Sequence, residues 1–132
     1  MNVVDSSAWL EYFADGPNAS AFAAPIEATD ALVVPTVCVY EVYKRVLQQR
    51  DEPLALQAVG IMLQGKVVDL TTDIALAAAG ISARHALPMA DAVILATSRA
   101  LHATLWTQDA DFASIEGVEY VSAPPKGGRC RT

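Results

Sequence analysis

Cysteine and histidine are scarce, with two of each in 132 residues. Cys38 lies in an apolar run and Cys130 in a polar tail, with no CxxC or Cys/His spacing between them. That pattern excludes a disulfide framework and a zinc site, and a buried thiol with a tail thiol suits a reducing compartment. No GxGxxG or GxxxxGK[ST] occurs, so nothing points to a nucleotide cofactor. HExxH is missing. Gly80-Ile81-Ser82-Ala83-Arg84 falls one residue short of GxSxG, and inside a predicted helix instead of at a strand-to-helix turn. No apolar run approaches the roughly 20 residues that cross a bilayer. Met1-Asn2-Val3-Val4-Asp5 has neither a basic nor a long apolar leader region. The expectation is a soluble, cytoplasmic protein with no membrane contact. Bases are also few, nine Lys+Arg against fifteen Asp+Glu. Lys126, Arg129 and Arg131 crowd the end, leaving six bases against the fifteen acids in residues 1–125. Bulk charge therefore does not grip a polyanion, although carboxylates that hold divalent cations invert the charge locally.

What is present is an apolar chain, 53% hydrophobic, long enough for one domain with its own core. A short strand, Asn2 to Val4, ends at Asp5. Ser6 or Ser7 then caps a helix carrying Trp9, Leu10, Tyr12 and Phe13, which stops near Gly16-Pro17. An Ala-rich helix covers 19–28, and Leu32-Val33-Val34 is a strand closed by Pro35. Thr36 caps an amphipathic helix to about Arg50, with Val39, Val42, Tyr43, Val46 and Leu47 as its apolar stripe. Helices follow over 54–63, 72–85 and from Leu87-Pro88 to Leu101, and strands over 67–70, 104–106 and 118–121. Strands alternating with helices predict a parallel sheet covered on both faces, and such sheets place their working site beyond the carboxyl ends of the strands. Residues 124–132 read as a flexible basic C-terminal tail.

Four carboxylates fall at element ends or on inward faces. Asp5 sits where the first strand runs out, although a turn Asp capping the next helix would occupy the same place. Asp91 shares a helix face with Ile94 and Leu95, which aims a charge inward where a helix-dipole role would favour an outward one. Asp109 and Asp111 follow a strand, where both could cap a helical turn or form a metal-bearing loop; Asp109 is nearer the strand end. Glu41 is mid-helix and could simply pair with Arg45 one turn on. Asp73 would cap its helix. An all-carboxylate cluster suits a hard cation, Mg²⁺ or Mn²⁺, and the hydrolysis of phosphodiesters by an activated water.

In order, Val3-Val4-Asp5-Ser6-Ser7, Val34-Pro35-Thr36 leading to Glu41, Ala90-Asp91-Ala92-Val93-Ile94-Leu95-Ala96, and Thr107-Gln108-Asp109-Ala110-Asp111-Phe112 place acids at intervals of 36, 50 and 18 residues. The chain resembles a PIN domain, specifically the VapC-type ribonuclease toxins of toxin–antitoxin pairs, over residues 1–123. The resemblance implies an α/β fold: a PIN-like three-layer α/β/α sandwich around a central, mostly parallel, short-stranded sheet. It implies that Asp5, Glu41, Asp91 and Asp109 are catalytic and bind metal, with Asp111 a further ligand. Ser7 and Thr107 would orient a carboxylate or water beside them. It implies Mg²⁺- or Mn²⁺-dependent endonucleolytic cleavage of tRNA, rRNA or mRNA, a homodimer, and inhibition by a cognate antitoxin. Lys44 and Arg45, one turn from Glu41, are candidate contacts for RNA phosphates. Trp9, Tyr12 and Phe13 read mainly as core and partner contacts. Two other readings stand beside this one. A phospho-accepting receiver-type domain shares the length and the acidic site, but it wants adjacent acids near the first strand and a lysine after the last; here Asp5 has no acidic neighbour, and Lys126, the one late lysine, sits in the tail. A catalytically silent PIN-like module would only bind a partner.

Overall fold

The computed structural model describes residues 1–123. The predicted tail, with Cys130, lies outside the described residues. Five strands and six helices follow in the predicted order: β1 (Asn2–Val4), α1 (Ser6–Phe13), α2 (Ala19–Glu27), β2 (Leu32–Pro35), α3 (Thr36–Gln49), α4 (Glu52–Met62), β3 (Lys66–Val68), α5 (Thr72–His85), α6 (Met89–Ala100), β4 (Thr104–Thr107) and β5 (Val118–Tyr120). Single 3₁₀ turns at Thr29–Ala31 and Ala110–Phe112 precede β2 and follow β4.

The strands form one sheet in the order β3-β2-β1-β4-β5, with every pairing parallel. Neighbouring side chains on a strand point to opposite faces. All four residues of β2 are buried, as are Val3 and Val4 of β1, so helices cover both faces of the sheet centre in an α/β sandwich. Trp9, Phe22, Met62, Ile94, Leu95, Leu105 and Phe112 fill the space between sheet and helices. Burying each contributes about 1.5–3 kcal/mol. Gly65 leads into β3 so close to β2 that an added Cβ would stand 2.9 Å from the Leu32 carbonyl oxygen. The chain winds outward from β1 through β2 to β3, then returns to set β4 on the other side of β1. The strand order therefore reverses between β1 and β4, where open α/β sheets bind ligands. This order is not the 2-1-3-4-5 of doubly wound receiver-type sheets, which sets that alternative aside.

Several local expectations need correction. Both-face coverage fails at the edge: Lys66 and Val67 are exposed, because β3 pairs with β2 alone. That strand also ends at Val68, leaving Leu70 exposed outside it. Neither Ser6 nor Ser7 caps α1. Asp5 holds the N-cap position without a side-chain capping bond, and both serines sit inside the helix. Pro35, not Thr36, precedes α3 at its cap. Thr71 caps α5 by accepting from the Ile74 N–H, a role expected of Asp73. Leu47 is exposed, so the inward stripe of α3 is built on Cys38 and Val42.

Candidate metal centre

The reversal of strand order brings the ends of β1 and β4 together. Val4 pairs with Trp106, and the Asp5 N–H continues the ladder by donating to the Trp106 carbonyl at 2.9 Å. This puts Asp5 beside Thr107, both almost fully buried. Two hydroxyls hold the Asp5 carboxylate through one oxygen: Thr107 Oγ1 donates to Oδ2 at 2.7 Å and Ser7 Oγ at 2.6 Å. Thr107 Oγ1 also accepts from the Asp109 N–H at 2.9 Å, so one side chain fixes both the buried Asp5 and the start of the next loop. Asp109 Oδ1 then accepts from the Asp111 N–H at 2.9 Å, which curls that loop into its 3₁₀ turn. Phe112, fully buried, anchors the turn from below.

Glu41 comes from α3 and Asp91 from the first turn of α6. Ser6 Oγ donates to Glu41 Oε1 at 2.6 Å, which turns the glutamate toward the end of β1. This bond, and not the alternative surface pairing with Arg45, holds Glu41. Asp5, Glu41, Asp91 and Asp109 line one cavity of about 320 Å³, together with Ser6, Ser7, Leu10, Tyr40, Lys44 and Arg45. Asp111 does not line it, but one carboxylate oxygen each of Asp91, Asp109 and Asp111 lie within 4.8 Å of one another. A second cavity, about 350 Å³, shares Ser7, Leu10 and Arg45 with the first and continues past Gln49 and Gln108.

The electrostatics of this arrangement are unfavourable without a cation. Burial raises the Asp5 carboxyl above its ordinary pKa, and Asp109 adds to the rise while the Ser7 and Thr107 hydroxyls oppose it. Partial burial, then the charges of Asp5, Asp109, Asp111 and Glu41, push Asp91 up to about 7. The hydrogen bonds holding these carboxylates come from hydroxyls and a backbone N–H, not from a Lys or Arg. Oxygen donors from four chain segments, with no His or Cys among them and no Lys or Arg hydrogen-bonded to them, fit a hard divalent cation.

Sequence reasoning passed over Ser6 and Tyr40. Ser6 was read only as a cap; its reach to Glu41 spans 35 residues and leaves no local signal. Tyr40 precedes Glu41 and, on α3, shares the cavity wall with it. Of the three aromatics near Asp5, Trp9 is buried, Phe13 stacks on it at 5.6 Å between ring centroids, and Tyr12 donates to Glu27 at 2.9 Å.

A family model for the PIN domain matches residues 3–118. The chain belongs to the PIN domain family. Similar solved structures include a toxin–antitoxin complex from Klebsiella pneumoniae, with a TM-score of 0.73 and 23% identity over 89% of this chain and 95% of that one. The VapC20 sarcin-ricin loop cleaving toxin of Mycobacterium tuberculosis aligns with a TM-score of 0.75 and 20% identity, over 90% of this chain and 98% of that one. VapBC2 from Rickettsia felis, bound to a DNA fragment from its promoter, gives a TM-score of 0.71 and 12% identity over 92% and 97% of the two chains. At these identities the likeness is one of fold. No curated protein sequence matches the chain. In this PIN domain the acids from β1, α3, α6 and the loop after β4 converge on one cavity, and none of the described helices is long and apolar enough to cross a membrane.

Proposed function

We propose that the protein is a VapC-type endoribonuclease toxin, dependent on Mg²⁺ or Mn²⁺ and restrained by a cognate antitoxin. The observation that carries this reading is the convergence of Asp5, Glu41, Asp91 and Asp109 on one cavity, with Asp111 adjoining, and with Asp91 driven up to about 7 by burial and the surrounding carboxylates. A protein keeps such a cluster at a cost to its own stability, and a divalent ion offsets that cost. Asp5, Glu41, Asp91, Asp109 and Asp111 are the residues that would hold it. When bound, such an ion supplies Lewis acidity for phosphodiester hydrolysis, so no protein nucleophile is required.

The other residues position these acids. Ser7 and Thr107 fix the Asp5 carboxylate, and Ser6 fixes Glu41. Lys44 and Arg45, on the α3 wall, take the phosphates flanking the scissile bond. Residues 1–123 act as one nuclease domain. The similarity to toxin–antitoxin complexes supports an antitoxin whose segment occupies this cavity, where the acidic surface favours a basic partner. The exposed Leu70 and Met89, which line an apolar groove with residues of α5 and α6, support a homodimer.

The test is cleavage of total cellular RNA by antitoxin-free protein in Mg²⁺, Mn²⁺ or EDTA. Fragments are expected in either metal and none in EDTA. Folded protein that binds Mn²⁺ yet cuts no RNA would favour the silent, partner-binding module instead.

A further inference from the structure

We infer that Tyr40 is a stacking platform for an RNA base beside the cleaved phosphate, with Lys44 holding its ring. The inference rests on the reading of the acidic cavity as a site that cuts RNA. Tyr40 is 61% exposed, whereas the apolar residues of α3 that pack inward, Cys38 and Val42, are fully buried. It stands next to Glu41 in the sequence and on the wall of the same cavity. Lys44, one turn on, places its Nζ 5.4 Å from the ring centroid, within cation–π range. Lys44 thus orients an aromatic ring that no protein core covers. A ring held in this way at the rim of a polyanion-cutting site offers a π-face to a nucleobase, and the ammonium beside it attracts the neighbouring phosphate.

The chemistry constrains the substrate. A base stacked on Tyr40 cannot remain stacked in a duplex, so the nucleotide there is unpaired. Every base has a π-face, so the ring provides position and affinity with little choice among bases. The adjoining cavity, which shares Ser7, Leu10 and Arg45 with the first and is also lined by Gln49 and Gln108, leaves room for the chain to continue.

Two measurements test this. The first is steady-state cleavage of a single-stranded RNA by wild type, Tyr40→Phe and Tyr40→Ala in Mn²⁺, with the Mn²⁺-induced rise in melting temperature recorded for each. Tyr40→Ala is expected to lower kcat/KM by about 5- to 100-fold, chiefly through KM. Tyr40→Phe should stay within about twofold, and the metal-induced rise should be the same in all three. The second is binding, in Ca²⁺, of RNA oligonucleotides carrying 2-aminopurine at successive positions. Wild type and Tyr40→Phe should quench one position, and Tyr40→Ala should not. Cleavage by Tyr40→Ala equal to wild type overturns the inference and leaves the nuclease reading standing, as does an equal loss in Tyr40→Phe and Tyr40→Ala. If wild type binds RNA with Tyr40-dependent quenching but never cuts it, the nuclease reading falls and takes with it the placement beside a cleaved phosphate, while Tyr40 still stacks on a base. If it neither cuts nor shows such quenching, both fall, and Tyr40 is a protein-docking contact at most.

Discussion

Asp91→Asn should stabilise the metal-free protein at alkaline pH while strongly reducing its response to metal. The perturbation is nearly isosteric and removes one charge from a crowded group. Asp91 rises from an ordinary 3.8 to about 7 because it is partly buried and faces Asp5, Asp109, Asp111 and Glu41. A carboxyl whose pKa is raised on folding binds its proton more tightly in the native state. Between about 4 and about 7 the native state therefore holds more protons than the unfolded chain, and stability falls as pH rises through that window. Three units would amount to about 4 kcal/mol in a fully buried site. Asp91 is only partly buried, and solvent screening reduces this to about 1–2 kcal/mol. In a chain of this length that is a difference of about 3–8 °C in melting temperature. The assay is thermal unfolding of the metal-free wild type and Asp91→Asn from pH 5 to pH 8, where the difference between the two slopes isolates the Asp91 contribution. Mn²⁺ at a hundred times its dissociation constant should then add about 2.7 kcal/mol to wild type, and much less to the variant. Parallel pH profiles, or an equal response to Mn²⁺, would refute the reasoning.

Further outcomes follow from the supports of the site. Thr107→Val removes a donor to Asp5 and an acceptor for the Asp109 N–H, so it should cost about 1–3 kcal/mol in a urea melt, and Thr107→Ser should recover most of it. Phe112→Ala empties the core beneath the turn that carries Asp109 and Asp111; a loss of about 3–5 kcal/mol is expected, together with weaker Mn²⁺ binding by calorimetry. Cys38 is fully buried, its Sγ donates to the Val4 carbonyl at 3.7 Å, and burial raises its pKa well above that of a free thiol. In a Cys130→Ser background it should resist a thiol reagent at pH 8 until denaturant is added. Immediate labelling of the native protein would contradict this packing.

The element order could be read from the chain because local signals agreed with the global fold. Val3-Val4 and Leu32-Val33-Val34 are apolar runs too short for helices, Gly16-Pro17 follows α1, Pro35 closes β2, and Pro53 stands in the first turn of α4. Partial burial of Asp91 could be anticipated from Ile94 and Leu95 one turn on. Other features lay beyond a local reading. Edge exposure of β3 depends on which strand pairs with it, and a run such as Val67-Val68 looks the same at an edge as at the centre. The hydroxyls of Ser6 and Ser7 looked like caps because capping is the common local use of serine. Glu41 claims the first instead, through geometry created by the α3 packing, and Asp5, two residues back, claims the second. Glu41 itself carried no convincing local signal, with Lys44 and Arg45 on the next turn, and only the resemblance raised it. Asp109 was preferred to Asp111 for its nearness to the strand, yet an oxygen of each lies within 4.8 Å of an Asp91 oxygen.

The most direct test of the central claim is cleavage of a responsive RNA by Asp5→Asn and Asp91→Asn beside wild type, at equal Mn²⁺ and with circular dichroism confirming the fold. Each substitution keeps the shape of the side chain and removes a charge that a divalent ion would require. The account requires metal-dependent cleavage by wild type and a loss of at least about 100-fold in both folded variants. Full activity in both, under the same metal conditions, would contradict it.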